Sequence, residues 1–134
     1  LSGALLEAVP GVRCLRDPTR GGVAVALNDI ARASGVGIRI AEERLPVRNE
    51  VRSACGLLGL EPLNVANEGK MVVVVAPEDA DAVLEALRAN PYGVDACSIG
   101  EISSEPQGRV LMKTALGATR VVNMLAGEML PRIC

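Results

Sequence analysis

Apolar and polar residues alternate along the first part of the chain in a way that predicts two strands around one helix. Val12–Leu15 is a short β-type run, and it ends in the breaker-rich turn Arg16–Gly22. Gly37–Glu42 alternates apolar and polar positions, as a half-buried strand does. Between the two strands, a helix that ends at Gly35 is expected to place its apolar stripe on Val23, Leu27, Ile30 and Ser34.

The middle of the chain predicts two further helices and a buried strand. The first helix is closed by Gly59, and its stripe consists of Val47, Val51, Ala54 and Leu58. Glu61–Gly69 has no clear period and is predicted to be a loop. Met71–Ala76 is continuously apolar, which is typical of a central strand covered on both faces. Glu78–Asn90 has the clearest helical period of the chain.

Three more strands are predicted after these helices. They are Ala96–Ile102, Arg109–Thr114 and Thr119–Met124, with the last two joined around Leu116 and Gly117. The order is strand, helix, strand, helix, strand, helix and then strands. This order predicts an α/β (α+β) sandwich built from a mixed sheet with helices.

The two ends of the chain lack this periodicity. Residues 1–11 are interpreted as a linker or helix end that belongs to an N-terminal half outside this sequence, and residues 12–124 as the α/β domain. Gly127 and Pro131 oppose regular structure, so 125–134 is predicted to be a flexible C-terminal tail that carries Cys134. Ten residues can extend by about 33 Å, which is enough to enter a site elsewhere.

Composition narrows the classes of function. The 134 residues are 49% hydrophobic with a single aromatic residue, which fits one globular domain with an aliphatic core. A net charge of -2 and the lack of aromatic stacking surfaces argue against nucleic acid as a partner. The longest apolar run, Met71–Ala76, is too short for a membrane span, and no signal-peptide charge pattern is present. The domain is expected to be cytoplasmic.

The four cysteines fall into two groups. Cys14, Cys55 and Cys97 are flanked by apolar or small residues and are predicted to be buried structural thiols in a reducing compartment. No C-x-x-C pair occurs and the chain has no histidine, so no metal site is predicted. Cys134 ends the chain and is expected to be exposed. Position alone leaves two alternatives for it: a functionless chain end or a swinging thiol that carries a substrate.

Two internal segments contain further candidates for chemistry. The Asp17–Gly22 turn lies between a strand and a helix, where main-chain N–H groups could bind a phosphate. The alternative is a helix N-cap, with Asp17 as the capping residue. In the loop that follows Asn64, Glu68 could act as a general base in a desolvated site, or it could be a solvated turn acid paired with Lys70.

Three motifs together resemble the C-terminal half of the HypE family of hydrogenase expression/formation proteins. They are Asp17-Pro18-Thr19-Arg20-Gly21-Gly22, Val65-Ala66-Asn67-Glu68-Gly69-Lys70 and Leu130-Pro131-Arg132-Ile133-Cys134. The first motif alone is shared with aminoimidazole ribonucleotide synthetases and selenophosphate synthetases, whereas the Pro-Arg-Ile-Cys ending is specific. The resemblance runs from Val12 to Cys134 and implies the fold of aminoimidazole ribonucleotide synthetase C-terminal domains.

The resemblance implies a carbamoyl dehydratase. A carbamoyltransferase partner, HypF, would load Cys134, and ATP with Mg would drive dehydration of the thiocarboxamide to a thiocyanate. The cyanide would pass to iron held by HypC and HypD, for nickel-iron hydrogenases. Glu68 would help to deprotonate the nitrogen. The phosphate side of the site would be lined by Asp17, Thr19, Gly21 and Gly22.

The same resemblance places the dimer core and most of the ATP site in an N-terminal half that this sequence lacks. The fragment alone is therefore expected to be inactive, and the full-length protein is expected to be a homodimer. Two other classes stay open. One is a docking module that presents the tail to maturation partners. The other is a different ATP-dependent synthetase of the same superfamily.

Overall fold

The computed structural model describes residues 11–124, and the elements below are those of this range. The strands are β1 (Val12–Arg16), β2 (Gly37–Ala41), β3 (Val72–Val75), β4 (Gly100–Ser103), β5 (Val110–Lys113) and β6 (Thr119–Val121). The helices are α1 (Gly22–Ser34), α2 (Asn49–Leu58) and α3 (Ala80–Arg88). Short 3-10 turns span Glu42–Arg44, Pro62–Asn64 and Pro77–Asp79. None of these helices combines the length and apolar character that a bilayer span requires.

The described residues form two units. The first holds 11–16 and 73–98, and the second holds 17–72 and 99–124. In the first unit, β1 pairs with β3. Val83 on α3 is buried, and the residues packed against it are Val12, Leu15, Val73, Val75 and Leu87. The predicted apolar face of this helix is therefore confirmed at its centre.

A four-stranded mixed sheet in the order β4-β2-β5-β6 forms the centre of the second unit. β2 is parallel to β5, whereas the β2–β4 and β5–β6 pairs are antiparallel. The apolar residues of β2 alternate with exposed Arg39, as predicted. The two central strands, β2 and β5, have one buried face, which consists of Ile38, Ile40, Val110 and Met112. The predicted mixed sheet with helices is confirmed.

Helix α1 ends at the predicted residue, and its predicted stripe is buried at Leu27 and Ile30 but not at Val23 and Ser34. It ends at Gly35, whose φ of 63° is left-handed and whose N–H turns back to the carbonyls of Ala31 and Arg32. Val23 is only half-buried and Ser34 is exposed. Besides the predicted Leu27 and Ile30, the buried face includes Gly22, Ala24, Ala26, Asn28 and Ala31. Small residues allow the close approach here, and the periodicity of bulky residues does not detect them.

Asn28 is a buried polar residue that links α1 to the chain after β6. Its Nδ2 donates hydrogen bonds of 2.9 Å to the carbonyls of Ala24 and Val122. Asn28→Ala is expected to lower the free energy of unfolding by about 1–3 kcal/mol, because it leaves the Val122 carbonyl without this donor. Urea unfolding measures the change. The exposed Ser34→Ala is the control on the same helix, with an expected change within about 0.5 kcal/mol.

Three predictions of secondary structure or burial were wrong. The α2 stripe is largely exposed at Val51, Ala54 and Leu58, and only Cys55 of this helix is buried. β3 is half-buried at every position and pairs with β1 alone among the described strands, so it is not a central strand covered on both faces. The strand predicted from Ala96 begins only at Gly100.

Local hydrogen bonds explain the missing start of that strand. The Ala96 N–H donates to the Gly93 carbonyl, and the Ala96 carbonyl accepts from Arg88 Nε at 2.9 Å. Both main-chain groups of Ala96 are therefore engaged within the first unit. They are not available for a strand ladder.

Candidate functional site

The Asp17–Gly22 turn does not cap α1 through Asp17. The N-cap is Gly21, with a φ of 65°, and no side chain caps the helix. The capping alternative for Asp17, with Pro18 at the first helical position, was therefore wrong. Pro18 is fully buried, whereas Asp17 and Gly21 are exposed and Thr19 is half-buried.

The structure brings the two internal motifs together through main-chain contacts. The Asn67 N–H donates a 3.1 Å hydrogen bond to the Pro18 carbonyl. Gly22 lies against the other end of the same loop: a Cβ placed on it would be 2.6 Å from the carbonyl oxygen of Val65 and still nearer to that of Leu63. Glu68 directly follows Asn67 in the chain, so the main chain that leads into the predicted base lies next to the turn.

Glu68 is exposed in the described part of the chain, as are its neighbours Gly69 and Lys70. The residues 11–124 therefore do not supply the desolvated surroundings that favour a general base. One buried side-chain atom in the same loop, Asn64 Oδ1, has no hydrogen-bond partner among the described residues. The catalytic role of Glu68 and the phosphate-side role of Asp17, Thr19, Gly21 and Gly22 stay predictions.

Cys134 lies outside the described residues, so the structure does not place it relative to this site. The other three cysteines are free thiols. Cys55 is buried, whereas Cys14 and Cys97 are half-buried. The prediction of buried structural thiols is thus confirmed for Cys55 and only partly met by the other two.

Burial raises the pKa of the Cys97 thiol, Arg88 lowers it, and Asp95 raises it. Its alkylation by iodoacetamide is expected to keep rising with pH beyond the range where an unfolded-chain thiol levels off, because the thiolate reacts. Asp95→Asn should lower this pKa and speed alkylation at pH 8, by less than about tenfold, since tenfold needs one pKa unit. Peptide mass mapping of the alkylated cysteine measures the rate.

The control for this experiment is Asp81→Asn, an equally exposed carboxylate on α3. It is expected to leave Cys97 alkylation unchanged. Slower alkylation in Asp95→Asn would contradict the electrostatic assignment, because removing a negative charge beside a thiol must favour the thiolate.

A pocket of about 220 Å³ lies beside the 3-10 turn Pro62–Asn64 in the second unit. Its lining includes Leu45, Cys55, Leu63 and the two acidic residues Glu42 and Glu61. Glu61 pairs with Arg120 at 2.6 Å. The pocket is smaller than the roughly 300 Å³ at which ligand pockets begin, so it does not fit a nucleotide.

The described residues contain no group of three or more His, Cys, Asp or Glu that could hold a metal ion. Asp17 does present an exposed carboxylate beside the turn. One carboxylate fits Mg²⁺ bound to a nucleotide, because that ion takes most of its ligands from phosphates and water. An ATP–Mg complex therefore fits the turn only as a partial site.

These features fit one known class of domain. The model of the family "AIR synthase related protein, C-terminal domain" matches residues 3–113. The chain belongs to this family, and its mixed sheet with helices is the predicted fold class.

Within this family the chain is similar to the carbamoyl dehydratase HypE of Azotobacter vinelandii, with 52% identity over 134 residues. The match covers 100% of this chain and 39% of that relative. A solved HypE–HypF complex matches with a TM-score of 0.85 at 44% identity, over 91% of this chain and 39% of that one. A solved HypE in complex with ATP matches with a TM-score of 0.86 at 45% identity, and the match covers 92% of this chain and 38% of that one. The resemblance to HypE is confirmed.

Sequence reasoning selected both internal motifs but missed how they are joined. The joining groups are the Asn67 N–H, the Pro18 carbonyl and the Cα of Gly22. Main-chain donors and acceptors occur at nearly every residue, so motif spacing does not single these out. The one available signal was the second glycine of the turn, which permits a close main-chain approach.

Proposed function

We propose that this chain is the C-terminal domain of a carbamoyl dehydratase that acts in hydrogenase maturation. The observation that carries the proposal is the main-chain junction between the Asp17–Gly22 turn and the loop that leads to Glu68. It brings the main chain just before Glu68 next to the turn, which supports a site shared by the predicted phosphate-side residues and the predicted base. The similarity to HypE over the whole chain supports the same activity.

Cys134 is the substrate carrier in this proposal. HypF transfers a carbamoyl group to its sulfur, giving a thiocarboxamide. ATP then phosphorylates the amide oxygen, which turns it into a phosphate leaving group. Loss of the two nitrogen protons and of phosphate leaves a thiocyanate on the sulfur, so the net change is removal of one water and conversion of ATP to ADP and phosphate. Glu68 accepts one of the nitrogen protons.

The turn residues hold the phosphate side of ATP. The Gly21 main chain and the side chains of Asp17 and Thr19 are accessible for this contact. The α1 N-terminus adds favourable electrostatics for an anion. In this proposal the N-terminal half supplies the rest of the nucleotide site, including further Mg²⁺ ligands. The chain spans 39% of the length of its relative, which is compatible with such a half. The fragment alone is therefore inactive.

The proposed partners are those that the resemblance to HypE implies. HypF supplies the carbamoyl group, and a solved HypE–HypF complex supports this pairing. HypC and HypD hold the iron that receives cyanide, and the full-length protein is a homodimer. The free thiols of the described residues are compatible with a cytoplasmic location.

The test is the intact mass of the full-length protein after loading by HypF and again after addition of ATP. The proposal expects a gain of one carbamoyl group at Cys134 and then the loss of one water. A carbamoyl group mapped to Cys14, Cys55 or Cys97 would refute it. Loading of Cys134 without later water loss would refute the dehydratase step.

The exposure of Glu68 favours one second candidate, a docking module that presents the tail to its partners while the missing half performs all catalysis. A different synthetase of the superfamily is the third class. Those reactions have no use for a terminal thiol. Full activity after removal of Cys134 would therefore favour that class.

A further inference from the structure

We infer that Gly22 is a positioning residue for the loop that carries Glu68, so that the Asp17–Gly22 turn acts on the dehydration step by fixing that loop. This inference rests on the proposed function. It assigns to Gly22 a role different from phosphate contact.

Gly22 leaves no room for a side chain. It is buried and has a left-handed φ of 65°. An added Cβ would be 3.0 Å from the carbonyl carbon of Asn64, in addition to its contacts with the two neighbouring carbonyl oxygens. Those neighbours are main chain, which cannot rotate away as a flexible side chain can. Only glycine permits this approach.

The turn contacts the loop at two places. Gly22 contacts it at 63–65, and the Pro18 carbonyl accepts from Asn67 at 3.1 Å. Both contacts come from one turn, and the residue that follows the second contact is Glu68. The path of the turn thus determines where the main chain enters Glu68.

Gly22 and Gly21 have different surroundings. The Cα of Gly22 faces the carbonyl oxygens of Leu63 and Val65, whose partial negative charge repels a phosphate. Gly21 is exposed, and the three atoms nearest to a Cβ there all belong to the Val25 side chain. The two glycines therefore have different roles: Gly21 is accessible to an anion, whereas Gly22 contacts the loop.

A methyl group at position 22 would force the loop to retreat. Ordinary van der Waals contact begins at 3.4 Å, so the Val65 carbonyl and its neighbours must move by about 1 Å. Displacement of a reacting group by about 1 Å can cost about 100-fold in rate. Loading of Cys134 by HypF does not use Glu68, so it serves as an internal measure of intact folding.

The experiment compares full-length Gly22→Ala with Gly35→Ala. Gly35 has a φ of 63° and nothing within 4 Å of an added Cβ, so its variant reproduces the backbone strain without the contact. The readout is single-turnover water loss from carbamoylated protein at increasing ATP. Gly22→Ala is expected to lower the maximal rate by about 100-fold, with half-saturating ATP and Cys134 loading unchanged. Gly35→Ala should stay within about threefold of the wild type.

If Gly22→Ala raised the half-saturating ATP concentration and left the maximal rate unchanged, Gly22 would be assigned to phosphate binding and the inference would be overturned. Equal maximal rates in Gly22→Ala and Gly35→Ala would also overturn it. Hydrogen exchange in the full-length wild type tests it without any variant. The Asn67 amide is expected to exchange at least about tenfold more slowly than an unprotected amide. An Asn67 amide that exchanges as fast as an unprotected amide would overturn the inference that the turn fixes the loop. If wild-type protein never loses water, the proposed function is refuted, and the exchange measurement still tests whether the turn fixes the loop.

Discussion

Cys134→Ser in the full-length protein is expected to abolish carbamoyl loading and, with it, all ATP-dependent dehydration. The thiolate is a strong nucleophile near neutral pH, whereas a serine hydroxyl is protonated there and needs an adjacent base. Intact mass after incubation with HypF is expected to show unmodified protein.

The internal cysteines provide matched controls. Cys14→Ala and Cys97→Ala remove half-buried thiols, and both variants are expected to load and dehydrate as the wild type does. Burial raises the Cys97 pKa, which lowers its thiolate fraction and makes it a poor competitor for the carbamoyl group. Wild-type loading of Cys134→Ser would contradict the carrier role.

The parts of the fold that were predicted correctly depend on local signals. Gly35 ends α1 because a left-handed residue is needed there, and glycine provides it at little cost. Ile38 and Ile40 are buried while Arg39 is exposed, because the two faces of a strand alternate at every residue. Both signals are complete within a few residues of sequence.

The wrong predictions have tertiary causes. Ala24 and Ala31 are fully buried because small side chains let α1 approach its neighbours, yet they add little to a pattern of bulky residues. The apolar residues of α2 predicted a buried stripe, but its members Val51 and Leu58 are 43% and 71% exposed. Apolar periodicity predicts a face suited to burial, and it does not say whether the described residues cover that face.

The candidate site could be predicted as residues but not as geometry. The motifs around Asp17 and Glu68 stand out because their residue types suit phosphate contact and proton transfer. Their junction uses the Asn67 N–H and the bare Cα of Gly22, which have no distinctive side chains. Glu68 is exposed, so residues 11–124 do not bury it. A substitution at Glu68 therefore tests whether this residue acts as the base.

Glu68→Gln in the full-length protein is expected to load normally at Cys134 and to lose water about 10²- to 10⁴-fold more slowly, the range that a general base contributes. Glutamine keeps the size and polarity of the side chain but cannot accept the nitrogen proton, so ATP affinity should be unchanged. Single-turnover mass spectrometry after ATP addition measures the rate. The exposed Glu50→Gln on α2 is the control and should dehydrate as the wild type does.

An unchanged dehydration rate in Glu68→Gln would remove Glu68 from the catalytic groups and favour the docking-module alternative, in which the missing half supplies every proton acceptor. A comparison with Gly22→Ala then distinguishes chemistry from position. If Glu68 is the base and Gly22 holds its loop, the double variant should be hardly slower than Glu68→Gln alone, because a displaced glutamine loses nothing further. Additive losses would instead mean that Gly22 acts on dehydration by a route independent of Glu68.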